Sequence, residues 1–200
     1  IGTEPLNQGA NICAAHEDSP RMDIKPNPLY EDSEIAYFKT HYYGGIKKYQ
    51  WPTLPLALHG VVCCKDGRTV NVTIGEDPAD PVLMISDLLP HLAADQMQKT
   101  AGQVIAGEQL NVILGTEPLE GEGSDLVKLH IMKWLNEKYG IVESDFLSAE
   151  LNIVPAGKCR EVGFDRSLIS AYGHDDRVCA YAELEALFTI PTPAKTAVCI

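Results

Sequence analysis

The spacing of apolar residues changes along this chain, and the changes predict its elements. The run QGANICAA, at residues 8–15, ends in the polar segment HEDSP, which is typical of a strand that leads into a loop. From about residue 22 to residue 75 the apolar positions follow β spacing, with Asp66 and Gly67 as the turn of a hairpin. QLNVILG and AELNIVP predict two further strands.

Helical spacing appears in three segments. DLVKLHIMKWLNEKY predicts the clearest helix, with Ser124 as its N-cap and Gly140 just after its last turn. SDLLPHLAADQM predicts a shorter helix that begins at Ser86. The segment 171–187, AYGHDDRVCAYAELEAL, predicts a helix with one mostly buried apolar face, and the strand KTAVCI follows it. Strands and helices mixed in this order predict the α/β class.

Composition narrows the range of partners. The chain has 16 Lys plus Arg against 28 Asp plus Glu, a net charge of −12, which repels nucleic acid and anionic lipid. No apolar stretch approaches the roughly 18 residues that a membrane span needs. We therefore expect neither nucleic acid nor a membrane among the partners.

The six cysteines predict a reducing compartment. None of them belongs to a CxxC motif or a regularly spaced framework, and each lies in an apolar or strand-like stretch. We expect reduced thiols that fill the core of a cytoplasmic protein.

Two short polar segments could carry chemistry, because each combines imidazole with carboxylate at the end of a predicted strand. AHEDSP contains His16 and Asp18, and HDDR contains Asp175. Imidazole and carboxylate together suit zinc, and a His-x-Asp spacing lets the second carboxylate orient the imidazole. Polar loop residues and carboxylates at a helix start explain either segment equally well. Both interpretations stay open on the residues alone.

The sequence contains none of the motifs that would indicate other kinds of catalysis. No glycine-rich phosphate loop with its lysine follows a strand, no serine lies in a GxSxG elbow, and no cysteine is paired with a histidine by local sequence. His91, in SDLLPHLA, is by default a core or interface histidine.

Several blocks of the sequence carry a family likeness. In order they are AHEDSP, YYGGI followed by Trp51, DPVLMISDLLPHL, SLISAYGHDDRVCAYAELEAL and KTAVCI. Together they resemble the aspartyl aminopeptidases, a family of zinc exopeptidases that use two metal ions. The resemblance implies an α/β/α zinc-peptidase domain, formed in part by residues 1–22 and 166–200, interrupted by a β-rich dimerisation domain at residues 23–165.

The resemblance also implies roles for single residues. His16 would bind one zinc ion, and Asp18 would hold its imidazole from behind. Asp175 would bridge two zinc ions, and the bond to Asp176 is often cis in such enzymes. His91 would reach from the dimerisation domain into the active site of a partner subunit.

The chain departs from the family pattern in two places. The family has Trp-x-Asp-Arg where this chain has WPTL at residues 51–54. The family's general-base glutamate and its remaining zinc ligands follow KTAVCI, where this chain stops. The resemblance makes His174 a neighbour of the site rather than a ligand.

Function follows from the resemblance as an expectation. It implies part of a zinc-dependent aminopeptidase that acts on peptides, with a family preference for acidic N-terminal residues, two Zn²⁺ per full-length subunit and a homo-oligomeric state. The 200 residues alone would be inactive. Two alternatives stay open: a non-catalytic assembly or binding module of the same fold, and a related metallo-amidohydrolase that acts on another amide.

Overall fold

The structure is a computed structural model that describes all 200 residues, and the chain forms two compact units. The terminal unit consists of Ile1–Ser19 together with Cys159–Ile200, and the central unit consists of Pro20–Lys158. Strands and helices are mixed, so the α/β class is confirmed. The domain limits inferred from the family likeness stay a prediction.

The central unit is built on one antiparallel sheet of six strands with a helix packed against it. The elements are β2 (Arg21–Asp32), β3 (Ile35–Tyr43), β4 (Leu56–Cys63), β5 (Thr69–Ile74), β6 (Val112–Gly115), α1 (Leu126–Tyr139) and β7 (Ala149–Pro155). The strand order is β5-β4-β7-β2-β3-β6, and helix α1 contacts β2, β3 and β6.

Strand periodicity produces the core of the central unit. On β3, Ala36, Phe38 and Thr40 are buried while the residues between them are not, as expected when successive side chains point to opposite faces. Phe38 packs edge to face on Phe146, with ring centroids 5.5 Å apart. Phe38 and Phe146 belong to one hydrophobic cluster, and all its members lie between Met22 and Ile153.

The terminal unit has a smaller framework. Its elements are β1 (Ala10–Cys13), β8 (Arg160–Val162), β9 (Leu168–Ser170), α2 (Asp175–Phe188) and β10 (Thr196–Cys199). Strands β1 and β10 pair in parallel, from Ala10 opposite Thr196 to Cys13 opposite Cys199, and helix α2 packs against β10. Strands β8 and β9 form a separate antiparallel hairpin.

Helix α1 ends as predicted but begins differently. Gly140 adopts the left-handed conformation at φ 69°, and its amide donates to the Asn136 carbonyl. Its N-cap is Asp125 rather than the predicted Ser124. Two free amides of the first turn, those of Val127 and Lys128, both donate to the Glu31 carboxylate at 2.9 Å. A carboxylate from β2 therefore satisfies the helix start, and it lies almost a hundred positions away in the sequence.

The predicted helix from Ser86 does not form. The segment contains only two short 3₁₀ turns, Pro90–Leu92 and Gln96–Gln98. Pro90 has no amide to donate, and Leu89 before it is extended, at φ −66° and ψ 151°. The Asp87 carboxylate also accepts the Leu88 amide at 2.8 Å, which favours a turn over a helix.

Helix α2 forms where predicted, but its predicted buried face is exposed. Val178, Tyr181 and Leu184 all face solvent. The less exposed side of the helix is a different face, which is formed by Asp176, Ala180, Glu183 and Leu187. Neither helix of the structure has the length and apolar character needed to cross a membrane.

The cysteines are free, but the prediction that they fill the core is wrong for most of them. Only Cys64 is buried, where burial raises the pKa of its thiol, and Cys199 is partly buried. The other four are exposed: Cys13 and Cys63 end β1 and β4, Cys159 precedes β8, and Cys179 lies on the exposed side of α2.

Candidate metal site

The loop that carries His16 begins where β1 leaves its parallel partner. The pairing continues just past the strand ends, because the Ile200 amide donates to the Cys13 carbonyl at 3.0 Å and the Ala15 amide donates to the Ile200 carbonyl at 3.1 Å. His16 is the next residue, so the sheet fixes the backbone from which its imidazole extends. The HEDS loop then runs to Ser19, the last residue of this part of the unit.

Two carboxylates meet this loop from the start of α2. Asp175 and Asp176 are the first two residues of the helix, and His174 is its N-cap. Carboxylates are favoured there, because the free amides and the helix dipole put partial positive charge at a helix N-terminus. Gly173, at φ +83°, provides the turn that brings the chain into the helix.

His16, Asp175 and Asp176 form a group that could hold a metal ion. One ligand atom from each lies within 4.8 Å of the others. The closest recorded approach is 3.7 Å between His16 Nδ1 and Asp176 Oδ1, which is longer than a hydrogen bond. The His16 side chain is 61% exposed and the Asp176 side chain only 6%. His16 and Asp175 are therefore open to solvent, and only Asp176 is buried.

The chemistry of these donors fits zinc. Structural and catalytic zinc sites use imidazole nitrogen and carboxylate oxygen, and catalytic sites use three protein ligands with an open position. One imidazole and two carboxylates give a net charge of −2 when the carboxylates are ionised and the imidazole is neutral, which balances the charge of a divalent ion. A buried carboxylate such as Asp176 also requires a positive partner or hydrogen bonds to offset its lost hydration.

His174 lies outside this group. Its Nε2 is 3.1 Å from the Ile169 carbonyl oxygen, which can only accept, so this ring nitrogen carries the proton and donates. The imidazole therefore ties the helix start to β9.

The predicted site residues divide between the two units. The structure brings His16 and Asp175 together. Asp18 is exposed and is not a member of the group, and His91 lies in the central unit on the exposed 3₁₀ turn Pro90–Leu92.

The sequence prediction missed Asp176 as a candidate ligand, although the adjacent acidic pair was a signal for it. The expected cis bond is absent, since the structure contains no cis peptide.

Fold and donor set together define a mixed α/β chain with a candidate zinc site of histidine and carboxylates. The family model described as aminopeptidase I zinc metalloprotease (M18) matches residues 1–198, and the chain belongs to this family.

Individual relatives agree with the family match. A probable M18 family aminopeptidase 1 of Clostridium acetobutylicum is 58% identical over 201 residues, which cover 100% of this chain and 43% of the relative. The crystal structure of aminopeptidase I from the same organism superposes with a TM-score of 0.90 at 54% identity, over 100% of this chain and 44% of that one. The M18 aminopeptidase structure from Thermotoga maritima gives 0.89 at 52% identity, over 97% and 42%. The chain thus spans less than half the length of these relatives.

Proposed function

We propose that these residues carry part of the active site of a zinc-dependent aminopeptidase, which hydrolyses the peptide bond after the N-terminal residue of a peptide. The observation that carries the proposal is the group of His16, Asp175 and Asp176 in a chain that belongs to a zinc metalloprotease family. We assign His16 and Asp175 as zinc ligands and add Asp176 as a third candidate. Asp18 is proposed to steady the imidazole of His16.

Each of these side chains has a distinct task in the proposed site. His16 offers a neutral nitrogen donor, and the carboxylates bring the negative charge that a divalent ion requires. Asp175 has two oxygens and can give one to each of two ions, so the proposal includes two Zn²⁺ per subunit. Bound zinc would supply a Lewis acid and lower the pKa of its water to about 7.

The proposal leaves some of the reaction to residues outside this chain. The family likeness implies that the general base and further ligands follow residue 200, and the relatives are more than twice as long as the match. We therefore propose that these 200 residues alone do not turn over peptides. The preference for acidic N-terminal residues belongs to the proposal as well, because the resemblance to the aspartyl aminopeptidases implies it.

We also propose that the protein is a homo-oligomer in which His91 acts in the active site of a partner subunit. Support comes from the surface around His91, where four large apolar residues near it in the sequence are exposed: Leu88, Leu89, Leu92 and Met97. Soluble monomers rarely leave such a group of large apolar side chains uncovered. We place the protein in the cytoplasm, since all six of its cysteines are free.

The test uses the protein expressed from its complete reading frame. Zinc content is measured by elemental analysis, and turnover is measured on a panel of aminoacyl anilides and acyl amino acids. We expect zinc and anilide hydrolysis in the parent, fastest with acidic residues, and loss of both in His16→Ala and Asp175→Asn. Arg166→Ala is the matched control, since Arg166 lies on the exposed β8–β9 hairpin of the same unit and pairs with Glu161 at 3.2 Å.

The possible outcomes separate the alternatives. A parent that binds no zinc and hydrolyses nothing would favour a non-catalytic assembly module. Hydrolysis of acyl amino acids without hydrolysis of anilides would favour a metallo-amidohydrolase. A monomer in solution, or a fully active His91→Ala variant, would contradict the proposed role across subunits.

A further inference from the structure

We propose that Arg177 is a positioning residue, which fastens the loop carrying His16 to the helix start carrying Asp175 and Asp176. The inference rests on the proposed zinc site and names a device that holds its two halves together. Its parts are Arg177, Ser19 and Gly173, called here the arginine clamp.

The contacts of Arg177 span the two ligand segments. Its Nη1 donates to Ser19 Oγ at 3.0 Å and to the Gly173 carbonyl at 3.4 Å. Ser19 lies three residues after His16, whereas Gly173 and Arg177 flank the acidic pair. The Arg177 to Ser19 bond joins positions 158 apart in the sequence. It therefore ties the His16 loop to the start of α2.

The position of Gly173 shows how closely the guanidinium passes over the helix start. A Cβ added there would lie 2.5 Å from Arg177 Nη1 and 3.0 Å from Ser19 Oγ. Real Cβ atoms do not approach so near, and the flexible end of Arg177 is the part able to move away. The backbone at φ +83° disfavours any side chain as well. Glycine is thus the residue that lets the clamp close.

Arginine suits this task because its planar fork offers several fixed donors and no acceptor. Both recorded acceptors are neutral oxygens, a serine hydroxyl and a peptide carbonyl. These hydrogen bonds therefore occupy no carboxylate oxygen. The geometry lets one guanidinium hold the ligand segments while the acidic side chains remain available to a metal ion.

Few buried contacts hold the His16 loop beside α2 within these 200 residues, which span less than half the length of the matched relatives. Asp176 is the only buried residue of the terminal unit among them. Where packing is sparse, a few hydrogen bonds decide how closely a loop is held. Loss of the clamp should loosen the ligand geometry without removing a ligand.

The test measures zinc affinity of the protein expressed from its complete reading frame, by competition with a chromophoric chelator. Removing a group that orients metal ligands typically weakens metal binding about 10- to 100-fold, and we expect this range for Arg177→Ala. Gly173→Ala should weaken binding similarly while keeping the arginine. The double variant with Ser19→Ala and Arg177→Ala should bind zinc no more weakly than Arg177→Ala alone. Both substitutions remove the same hydrogen bond, so their effects on zinc affinity should not add.

Controls separate the clamp from general destabilisation. Arg166→Ala removes a surface arginine of the same unit, and Gly157→Ala strains a backbone at φ +125° where a Cβ would touch nothing within 4 Å. Both should keep the parent zinc affinity. The visible spectrum of the Co²⁺-loaded protein supplies a second readout, because it reports ligand geometry and a purely structural role would not change it. We expect an altered spectrum in Arg177→Ala and Gly173→Ala only.

The results distinguish failure of the clamp from failure of the zinc site. If His16→Ala loses zinc while Arg177→Ala and Gly173→Ala bind it as the parent does, the clamp is overturned and the site stands. If the parent binds no zinc, and His16→Ala changes nothing, the proposed function and the clamp are both overturned.

Discussion

The two units of this chain differ in how their residues are buried. The central unit holds every member of the hydrophobic cluster, including Leu56, Val62 and Ile153 with no exposed surface. The terminal unit holds one buried residue, and it is the carboxylate Asp176. Stability of the central unit therefore comes from apolar burial, whereas the candidate chemistry lies in a unit that has almost none.

The two-stranded sheet of the terminal unit also leaves apolar side chains exposed. Parallel strands are usually covered on both faces, yet Ile12 of β1 and Val198 of β10 are exposed. Helix α2 leaves Val178 and Tyr181 exposed as well. The matched relatives are more than twice as long as their match, and they contain further residues that could cover such surfaces. The three candidate ligands are thus brought together in a unit that has no apolar core within these residues.

The largest expected effect compares the same substitution in the two units. Leu58 is 2% exposed and Leu184 is 45% exposed. Leu58→Ala should lower the free energy of unfolding by about 2–5 kcal/mol, because it removes a packed side chain and leaves a cavity. Leu184→Ala should change it by less than about 1 kcal/mol in the isolated chain.

Urea unfolding measures both effects, and tryptophan fluorescence follows the central unit, which contains Trp51 and Trp134. Because these probes follow only one unit, far-ultraviolet circular dichroism is recorded in parallel to detect the other. Equal losses from the two substitutions would break the contrast between the units.

Hydrogen exchange of the isolated chain should show a similar contrast without any substitution. Amides of β4 and β7 belong to the centre of a six-stranded sheet, whereas those of α2 rest on a two-stranded one. We expect α2 to exchange faster by on the order of 100-fold, because local opening exposes few apolar contacts there. Mass spectrometry of peptic peptides measures both segments in one experiment. Equal protection of α2 and β4 would mean that the terminal unit is stabilised by something other than burial.

A smaller effect is expected at the start of α1. Glu31 accepts the Val127 and Lys128 amides, so Glu31→Ala leaves two helix amides without their partner. We expect a loss of about 1–2 kcal/mol in the free energy of unfolding. Glu117→Ala is the control, because Glu117 is exposed and its side chain makes no such bond. A neutral Glu31→Ala would show that water replaces the carboxylate at this helix start.

The smallest expected effect is a pH dependence in the β4–β5 hairpin. The backbone amide and guanidinium of Arg68 donate to Asp66 and lower the pKa of its carboxyl from the ordinary value. A lowered folded pKa means that the stabilisation is present above the unfolded pKa of about 3.9 and is lost as pH falls through the folded value. Asp66→Asn should therefore flatten the stability profile slightly below pH ~4. The exposed position keeps the effect small, and an unchanged profile would contradict it.

Local sequence predicted those elements whose signals are local. Asp66 and Gly67 mark a real hairpin, and Gly140 ends α1, since both depend on backbone conformation at one or two residues. The start of α1 depends on Glu31 from another strand, which no window of the sequence contains. Helical spacing around Ser86 was outweighed by Pro90 and the Asp87 turn.

Local sequence also predicted only part of the candidate metal site. Residue types alone nominated His16 and Asp175, because imidazole and carboxylate at element ends suit a metal. The membership of Asp176 and the hydrogen bond from Arg177 to Ser19 depend on contacts between residues that are far apart in the sequence. The exposed face of α2 could not be predicted, because amphipathic spacing shows that a face is apolar and not what covers it.

Anomalous diffraction at the zinc edge, from crystals of the protein expressed from its complete reading frame, tests the central claim most directly. The predicted result is a peak about 2.0–2.2 Å from a ring nitrogen of His16 and a carboxylate oxygen of Asp175. A zinc-loaded crystal with no peak between the His16 loop and the start of α2 would contradict it.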